Sequence, residues 1–488
     1  MGIAKGNSGR GFKNSVDWSL IGIYLALVFI GWINIYASIH SSEPSSVFDF
    51  SYRSGKQFIW ILTAFGLAGT ILFLLSPRIY EGLSVPIYLF VLFLLIAVIF
   101  LGIEVKGSRS WFEFGPIRFQ PAEVSKISTS LLLATYMSRL GFKMSNLKDF
   151  FVTALIILIP MLIIVGQSET GSALVYVGFI FALYREGLSG WWLTALGMAI
   201  LLFILTLTNS AYTSVMVQIG LVSLFNALHD NKLTLWFIIF LPLIILFSFI
   251  PGIYENMTAE LEEGAFLLKI KPLYVLVGLI VASLPAFLFW AYRKRSQFMS
   301  ISVLSILAGI MLIFAADFVF NEVLQDHQRK RIEVLLGMKE DPMGVGYNVI
   351  QSKIAIGSGG LFGKGYLSGT QTAYGFVPEQ STDFIFCTVG EEWGFIGSLI
   401  IISLFVFLIA RIIRNAERSR EAFTRIYGYC VACCLFMHLF INIGMTIGLM
   451  PVIGIPLPFV SYGGSSLWGF TILLFIFIAL DRNEKKYF

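Results

Sequence analysis

The feature that most constrains this chain is a series of long stretches with almost no charged residues. Residues 85–101, 235–250 and 399–409 are typical of them. A helix needs about 20 predominantly apolar residues to cross a bilayer. The chain is 57% hydrophobic and only 13% charged, whereas a soluble domain has roughly 25% charged residues. The sequence therefore predicts an all-α polytopic membrane protein.

The distribution of lysine and arginine predicts how the spans are oriented. Both tails are basic, since they contain Lys5, Arg10, Lys13, Arg482, Lys485 and Lys486. Cytoplasmic loops and tails are enriched in these residues, so we expect both termini in the cytoplasm and an even number of spans. The net charge of +5 is then explained by membrane topology, and no nucleic-acid partner is predicted. Depending on how 211–228 and its neighbours are assigned, the total is roughly twelve to fourteen spans.

Two polar loops fall on the outer side in this topology. The first is short and covers 104–120, and the second covers 321–383. A connection of roughly 60 residues is far longer than an ordinary loop, and such loops are either functional or disordered. Because the second loop contains many glycine and aromatic residues, we expect it to be ordered and functional.

The short loop and the helix that follows it contain candidate anion-binding cations. Lys106 and Arg109 would lie at the level of the outer headgroups, where contact with lipid phosphates is the competing interpretation. Lys126 comes three residues after Glu123, so the two share one face of a helix. A charged pair at membrane depth must be mutually satisfied. This pair is either structural or also orients a cation that binds substrate.

The large loop contains a second set of cations. Arg329 and Arg331 belong to a basic run, 328–331, which opposes the positive-inside trend. A bound phosphate or diphosphate would explain that exception. Lys364 follows the glycine-rich stretch 357–363, whose backbone N–H groups can approach an anion. The stretch is not an ATP-binding loop, because no Ser or Thr follows the lysine.

Several carboxylates are candidates for chemistry or for support. Asp341 precedes a proline and two glycines, which predicts a turn that presents the carboxylate, although a plain turn is the competing interpretation. Glu169 is a lone carboxylate at the membrane edge and is either solvated or functional. Glu379 and Asp383 lead into a span, and the first turns of that span contain Glu391 and Glu392. Carboxylates at that depth are paired or functional.

Other polar positions complete the pattern. Gln351 and Ser352 begin a helix-like stretch that runs into the glycine-rich stretch, and Ser461 lies in 456–466, which interrupts the last spans. Broken helices are tolerated at membrane depth where protein covers them. The four cysteines and four histidines show no metal-ligand spacing.

Together these motifs resemble the SEDS family, named for shape, elongation, division and sporulation, and the RodA branch more than the FtsW branch. The matching stretches are 106–111, 119–126, 328–331, 341–347, 351–365, 369–371, 378–392 and 451–466. The sequence departs from the family pattern at Ser110, where Arg usually precedes the tryptophan. It also departs at 167–169, where Gln-Ser-Glu replaces the usual Gln-Pro-Asp.

The resemblance implies a helical bundle of about ten core spans, an even number of inserted spans and a large extracytoplasmic loop. The expected parts are 1–186 (N-terminal spans and first outer loop), 187–298 (inserted spans), 299–320 (the span before the loop), 321–383 (catalytic loop) and 384–488 (C-terminal spans). No function follows for the inserted part.

The resemblance also implies a peptidoglycan glycosyltransferase, which polymerises lipid II into glycan strands during cell elongation and cell-shape maintenance. It would act at the outer face of the bacterial cytoplasmic membrane. Its partners would be lipid II, a class B penicillin-binding protein that crosslinks the strands, and membrane proteins of the elongation complex. A lipid II flippase or transporter and a non-catalytic scaffold are the alternatives, although the sequence shows no inverted repeat, which would favour a transporter.

In this family the Asp of an Asp-Pro-x-Gly-x-Gly-Tyr motif is essential, and that residue corresponds to Asp341. We expect Asp341 to act as the general base on the attacking sugar hydroxyl in an inverting transfer. The candidate partners of the lipid diphosphate are Arg109, Lys126, Arg329, Arg331, Lys364 and Lys106, and the candidate supporting residues are Glu123, Glu169, Gln351, Ser352, Glu379, Asp383, Glu392 and Ser461. No resident cofactor is predicted. A divalent cation, Mg²⁺ or Mn²⁺, on the diphosphate stays open because the sequence contains no ligand cluster for it.

Overall fold

The computed structural model describes residues 16–39, 46–105, 107–115, 117–230, 233–235, 237–238, 241–258, 272–294, 297–324, 326–336, 338 and 345–486. The chain divides into two compact units. The first unit combines Met1–Ser189 with Asp341–Phe488, and the second unit is Gly190–Glu340.

The first unit begins with α1 (Trp18–Ile39), α2 (Arg53–Phe73), α3 (Pro77–Gly82), α4 (Ser84–Leu101), β1 (Ile103–Val105), β2 (Ser108–Phe114), β3 (Ile117–Phe119), α5 (Pro121–Met137), α6 (Leu147–Gly166), α7 (Thr170–Val177) and α8 (Phe179–Arg185). The second unit contains α9 (Trp191–Thr208), α10 (Ala211–His229), α11 (Leu233–Leu235), α12 (Leu241–Ser248), α13 (Ile250–Thr258), α14 (Pro272–Lys294), α15 (Gln297–Phe318), a π-helix (Val319–Val323) and α16 (Asp326–Leu335). The first unit is completed by α17 (Val345–Ser358), α18 (Thr370–Ala373), α19 (Ile385–Arg418), α20 (Ala422–Thr446) and α21 (Gly464–Lys486).

In the described part of the chain, ten helices are long and apolar enough to cross a membrane: Trp18–Ile39, Arg53–Phe73, Ser84–Leu101, Leu147–Gly166, Trp191–Thr208, Ala211–His229, Ser300–Glu322, Ile385–Arg418, Ala422–Thr446 and Gly464–Lys485. Two shorter apolar helices are Thr170–Arg185 and Pro272–Pro285. The predicted helical, multi-pass membrane fold is confirmed. The total of twelve to fourteen spans stays a prediction.

Helix α20 forms the centre of the first unit. The most apolar part of α20 is 83% buried, whereas that of α4 is 28% buried. In a membrane an apolar helix can face lipid, as α4 does, so apolar composition alone does not bury α20; polar side chains within its sequence favour packing against other helices. Helix α20 contributes Tyr427, Cys430 and Cys434 to the core. Gly31 of α1 lies so close to the backbone of Val460 that a side chain there would collide with it. This close approach fixes the irregular segment that precedes α21, residues 447–463.

The short loop after α4 forms a small antiparallel sheet, which the sequence did not predict. The strand order is β1-β2-β3, with Glu104 opposite Arg109 and Glu113 opposite Arg118. Ser108 and Ser110 of β2 are buried whereas Arg109 between them is exposed, because successive side chains of a strand point to opposite faces. Gly107, with φ of 84°, turns the chain between the first two strands.

Helix α19 is interrupted at Gly394, where φ is 65° and ψ is −156°. The glycine-rich stretch 357–363 and the two residues after it satisfy the backbone groups that the interruption exposes. The N–H groups of Lys364 and Gly365 donate to the carbonyl groups of Glu391 and Glu392, each at 3.0 Å. Part of the predicted outer loop therefore packs against α19 at its interruption. Irregular backbone is tolerated there because its polar groups are paired.

The second unit has a separate apolar core. Leu202 of α9, Val215 of α10 and Ile313 of α15 are among its buried residues. The amide Nε2 of Gln218 donates to the carbonyl of Ser305 at 2.8 Å, so a buried polar contact joins α10 to α15. Such interhelical hydrogen bonds stabilise helix pairs in membranes.

Candidate functional site

The predicted general base, Asp341, lies outside the described residues, as does Lys106. The described chain resumes with α17, which begins four residues after Asp341 in the sequence. Ser352 of this helix is fully buried, and its hydroxyl donates to the carbonyl of Thr446 at 2.6 Å. It also lies 2.8 Å from Cys387 Sγ. These contacts attach α17 to α19 and α20, while neighbouring Gln351 is half-buried.

Lys364 is held by the buried carboxylate of Glu391. Oε1 of Glu391 accepts from Lys364 Nζ at 2.7 Å and from the Gln371 N–H at 2.8 Å. Oε2 accepts from the N–H and the hydroxyl of Thr372, both at 2.9 Å. The Glu391 side chain is 0% exposed and that of Lys364 is 27% exposed. Glu391 therefore anchors the start of α18 and places the lysine at the edge of the protein.

Glu392, the next residue, has a different environment. It is buried, and a backbone N–H of Leu367 donates to its carboxylate. Within the described residues, Oε2 of Glu392 has no hydrogen-bond partner. Burial, together with the nearby Glu392 carboxylate, raises the pKa of Tyr366 to about 12. Tyr366 therefore stays protonated and can serve as a hydroxyl donor at neutral pH.

The end of the large loop is attached to the irregular segment between α20 and α21. The Ser461 hydroxyl donates to the carbonyl of Thr382 at 2.6 Å and accepts from the Leu457 N–H at 2.8 Å. Nδ2 of Asn442 donates to the carbonyl of Asp383 at 2.8 Å. Glu379 adopts a φ of 53° and accepts from the Thr382 hydroxyl at 2.9 Å. These contacts fix the backbone from which α19 begins.

A second buried cluster surrounds Lys126 of α5. Its Nζ lies 2.9 Å from Glu123 Oε1 and 2.8 Å from Nε2 of His438 in α20. It also lies 4.9 Å from the ring centroid of Phe470 in α21. The Lys126 and Glu123 side chains are only 2% and 3% exposed. A buried ion pair is tolerated only when further polar contacts support it, and His438 and the ring supply them.

Glu169 is held by the small sheet and by Gln120. Its Oε2 accepts from the hydroxyls of Ser108 and Ser110 at 2.8 and 2.9 Å, and its Oε1 accepts from Gln120 Nε2 at 3.2 Å. Side chains alternate along a strand, so Arg109 lies on the opposite face of β2. Its side chain is 61% exposed and lies 3.6 Å from Glu104.

The remaining predicted cations, Arg329 and Arg331, belong to the second unit. Nε of Arg329 donates to Glu333 Oε1 at 3.1 Å, and its guanidinium lies 5.2 Å from the centroid of the Phe320 ring. Arg331 is half-buried on the same helix, α16.

The sequence did not single out His438, which contacts a predicted site residue, or Arg53, which contacts residues next to predicted ones. His438 is 312 residues from Lys126 in the sequence, and only its spacing of four from Asn442, on an otherwise apolar helix, could have indicated a shared polar face. Arg53 donates to the Ser381 hydroxyl at 2.6 Å and lies 5.6 Å from the ring centroid of Tyr462. Burial raises the pKa of Tyr462, against the opposing effect of Arg53.

In the part of the chain that the structure describes, no group of three or more His, Cys, Asp or Glu side chains is placed to hold a metal ion. No step of the chemistry proposed below depends on a metal ion.

The FtsW/RodA/SpoVE family, described as cell cycle proteins, has a sequence profile that matches residues 17–233 and 265–486. The chain belongs to this family. The predicted SEDS resemblance is thereby confirmed. Residues 234–264, which lie inside the predicted insertion, fall between the two matched segments.

Named relatives in the FtsW/RodA/SpoVE family cover most of the chain. Peptidoglycan glycosyltransferase RodA of Treponema pallidum is 30% identical over 470 residues, which are 96% of this chain and 98% of that protein. Peptidoglycan glycosyltransferase MrdB of Escherichia coli K12 is 30% identical over 394 residues, which are 80% of this chain and 76% of that protein.

Solved structures support the family fold. A chain from the structure described as "Structural coordination of polymerization and crosslinking by a peptidoglycan synthase complex" has a TM-score of 0.57 and 24% identity, and covers 96% of this chain and 98% of that one. RodA of Thermus thermophilus has a TM-score of 0.54 and 22% identity, and the coverage is 96% of this chain and 97% of that one. At these identities the likeness shows the fold.

Proposed function

We propose that this protein is a peptidoglycan glycosyltransferase that polymerises lipid II into glycan strands during cell elongation. The observation that carries the proposal is the similarity to RodA of Treponema pallidum, which spans 96% of this chain and 98% of that protein. The chain also contains the Asp-Pro-Met-Gly-Val-Gly-Tyr motif at 341–347, which is the motif in which the family's essential aspartate lies.

Asp341 is the proposed general base. It removes the proton of a sugar hydroxyl while that oxygen attacks the anomeric carbon of a lipid-diphosphate-linked glycan. The new glycosidic bond forms as the bond from the anomeric carbon to the diphosphate oxygen breaks, and the lipid diphosphate leaves with the electron pair. The anomeric centre inverts, so no protein nucleophile is required. General-base assistance of this kind contributes about 10²- to 10⁴-fold in rate.

The departing diphosphate needs positive charge, because cations placed in advance stabilise the developing charge. The proposed contributors are Arg109, Lys126, Arg329, Arg331, Lys364 and Lys106. Lys364 is the best supported in the first unit, because Glu391 fixes its position while 27% of its side chain is exposed. Glu391 and Ser352 support the site indirectly: Glu391 of the broken helix holds α18, and Ser352 holds α17 against Cys387 of the same helix.

The proposed setting is the bacterial cytoplasmic membrane, with both termini in the cytoplasm and the large loop outside. The proposed partners are a class B penicillin-binding protein, which crosslinks the strands, and other membrane proteins of the elongation complex. A structural relative comes from a complex that couples polymerization and crosslinking, which supports an assembly of this kind.

The test compares wild type with Asp341→Asn in lipid bilayers that contain lipid II and the class B partner. We expect the variant to lose at least about 100-fold in glycan synthesis, since it cannot accept the hydroxyl proton. Asp326→Asn is the matched control, because Asp326 is an exposed aspartate in the same predicted loop. Full polymerisation by Asp341→Asn would eliminate Asp341 as the base.

The same preparations separate the alternative functions. A flippase would move fluorescent lipid II between the leaflets of protein-containing vesicles without producing glycan. A scaffold would support the partner's activity equally well with Asp341→Asn. Either result would contradict the proposed enzyme.

A further inference from the structure

The imidazole of His438 bridges Lys126 and the irregular segment that precedes α21. Its Nε2 lies 2.8 Å from Lys126 Nζ, and its Nδ1 lies 3.2 Å from the carbonyl oxygen of Pro456. The Phe470 ring and the imidazole are nearly perpendicular, with a centroid distance of 4.7 Å. His438 is 1% exposed, so it does not contact a substrate from the surface.

The two partners determine which nitrogen of His438 is protonated. A carbonyl oxygen can only accept a hydrogen bond and an ammonium group can only donate. Nδ1 must therefore hold the proton that faces Pro456, and Nε2 must be unprotonated to accept from Lys126. An imidazolium would direct an N–H at the ammonium group, and the other neutral tautomer would lose both hydrogen bonds.

Lys126 has three N–H groups, and the described part of the chain provides three acceptors for them. They are the Glu123 carboxylate at 2.9 Å, His438 Nε2 at 2.8 Å and the Phe470 ring face at 4.9 Å. Removal of the imidazole would leave one donor of a buried ammonium unpaired. The strongest contribution available to His438 is therefore to hold this cation in one position.

The bridge continues toward the large loop. Asn442, one turn after His438 on α20, donates to the carbonyl of Ile455 at 2.7 Å and to that of Asp383 at 2.8 Å. Pro456 is the residue next to Ile455, so His438 and Asn442 hold adjacent carbonyl groups of one segment. The contacts run from α5 through α20 to the end of the loop.

We infer that His438 is a positioning residue for glycan synthesis, which holds Lys126 and the segment before α21 in register through its neutral, Nδ1-protonated imidazole. Its effect on rate rests on the proposed function, whereas its protonation pattern does not. Because the group is buried, substitutions change the turnover number and leave KM for lipid II within about three-fold.

Two amide variants separate the two hydrogen bonds. The amide of His438→Gln extends to the position of Nε2 and supplies an acceptor to Lys126, whereas the shorter amide of His438→Asn replaces the Nδ1 donor only. His438→Phe removes both hydrogen bonds. We expect Asn and Phe to lower the turnover number by about 10- to 100-fold, the effect of one lost hydrogen bond to a charged group. The His438→Gln variant should keep the turnover number within about three-fold of wild type.

A merely structural role would give a different pattern. The three variants would then lower the rate in proportion to their loss of thermal stability, and Gln would have no advantage over Asn. That pattern, or wild-type rates in His438→Phe, would overturn the inference. Thermal unfolding of each purified variant in the same bilayers provides the comparison.

The protonation pattern is measured without any activity. Solid-state ¹⁵N NMR of the bilayer-embedded protein, labelled at the ring nitrogens of its four histidines, should show a protonated Nδ1 and an unprotonated Nε2 for His438. The signals are assigned by their loss in His438→Gln, and a sample labelled only at Nδ1 identifies that nitrogen. Two protonated nitrogens, or protonation at Nε2, would overturn the inference. If wild type makes no glycan but His438 shows the expected pattern, the proposed function fails and the bridge stands.

Discussion

Substitution of Glu391 by glutamine should loosen the stretch 364–372 without unfolding the protein. In wild type the two carboxylate oxygens accept hydrogen bonds from Lys364 Nζ, the Thr370 hydroxyl, the Gln371 N–H and both the N–H and the hydroxyl of Thr372. A glutamine amide has only one acceptor oxygen, and its NH₂ group would face donors at the other position. Hydroxyl groups can rotate to accept, but backbone N–H groups cannot.

The magnitude follows from these contacts. In either orientation of the amide, the N–H of Gln371 or of Thr372 loses its acceptor, and a buried donor without a partner costs about 1–3 kcal/mol. Lys364 also loses the charge of its partner. Since this lysine is 27% exposed, solvent screening limits that loss to about 1 kcal/mol. The total of about 2–4 kcal/mol corresponds to about 30- to 700-fold more frequent local opening, at tenfold per 1.4 kcal/mol.

Hydrogen–deuterium exchange followed by mass spectrometry measures this opening on peptides that cover 364–375. The variant should exchange faster there by that factor, with little change in α20. Glu379→Gln is the control, because the Glu379 carboxylate accepts a hydrogen bond from the Thr382 hydroxyl. This variant should leave 364–372 as protected from exchange as in wild type. Unchanged exchange at Gln371 and Thr372 in Glu391→Gln would refute the reasoning.

Two further predictions concern the backbone and the pH dependence of stability. Gly363→Ala should lower the unfolding temperature by several degrees more than Gly360→Ala, because both have positive φ but only a side chain at 363 collides with the Glu392 carbonyl; equal losses would contradict the close packing. Burial raises the pKa of Asp17, but hydrogen bonding and the charge of Arg411 outweigh it and hold the pKa below 3.8. The stabilisation from ionised Asp17 is therefore present above about pH 4 and is lost as pH falls through the lowered pKa. Asp17→Asn should therefore flatten the pH dependence of the unfolding temperature below about pH 4, and an unchanged acid dependence would contradict this.

The sequence was sufficient to predict the class of fold and the family, because the lengths of apolar stretches and short motifs are local properties of a chain. The motif 351–365 predicted a glycine-rich stretch near an anion, but it could not show that this stretch fills the interruption at Gly394. That packing depends on hydrogen bonds between distant segments, such as Lys364 N–H to Glu391 at 3.0 Å. The small sheet was missed because its strands are short and lie between two apolar helices.

The sequence predicted which residues belong to the candidate site better than it predicted how those residues contact one another. The sequence left Glu169 as either a solvated or a functional carboxylate, and in the structure the serines of β2 and Gln120 hold it. The pairing of Glu123 with Lys126 was predictable because helical residues three apart share a face. The contact between Lys126 and His438 was not predictable, because nothing in a linear sequence relates positions separated by 312 residues.

The geometry also changes how the cations of the first unit can act on a diphosphate. Lys126 could reach an anion only by leaving Glu123 and His438, and separating a buried ion pair costs about 3–5 kcal/mol. Its proposed contribution is therefore the field of a fixed charge and the position of the helices around it. Lys364 and Arg109 are 27% and 61% exposed, so each can direct an N–H group at a ligand while keeping its carboxylate partner. Direct contact with the leaving group is accordingly best assigned to these two, and Lys126 is best assigned to the support that keeps the surrounding backbone in place.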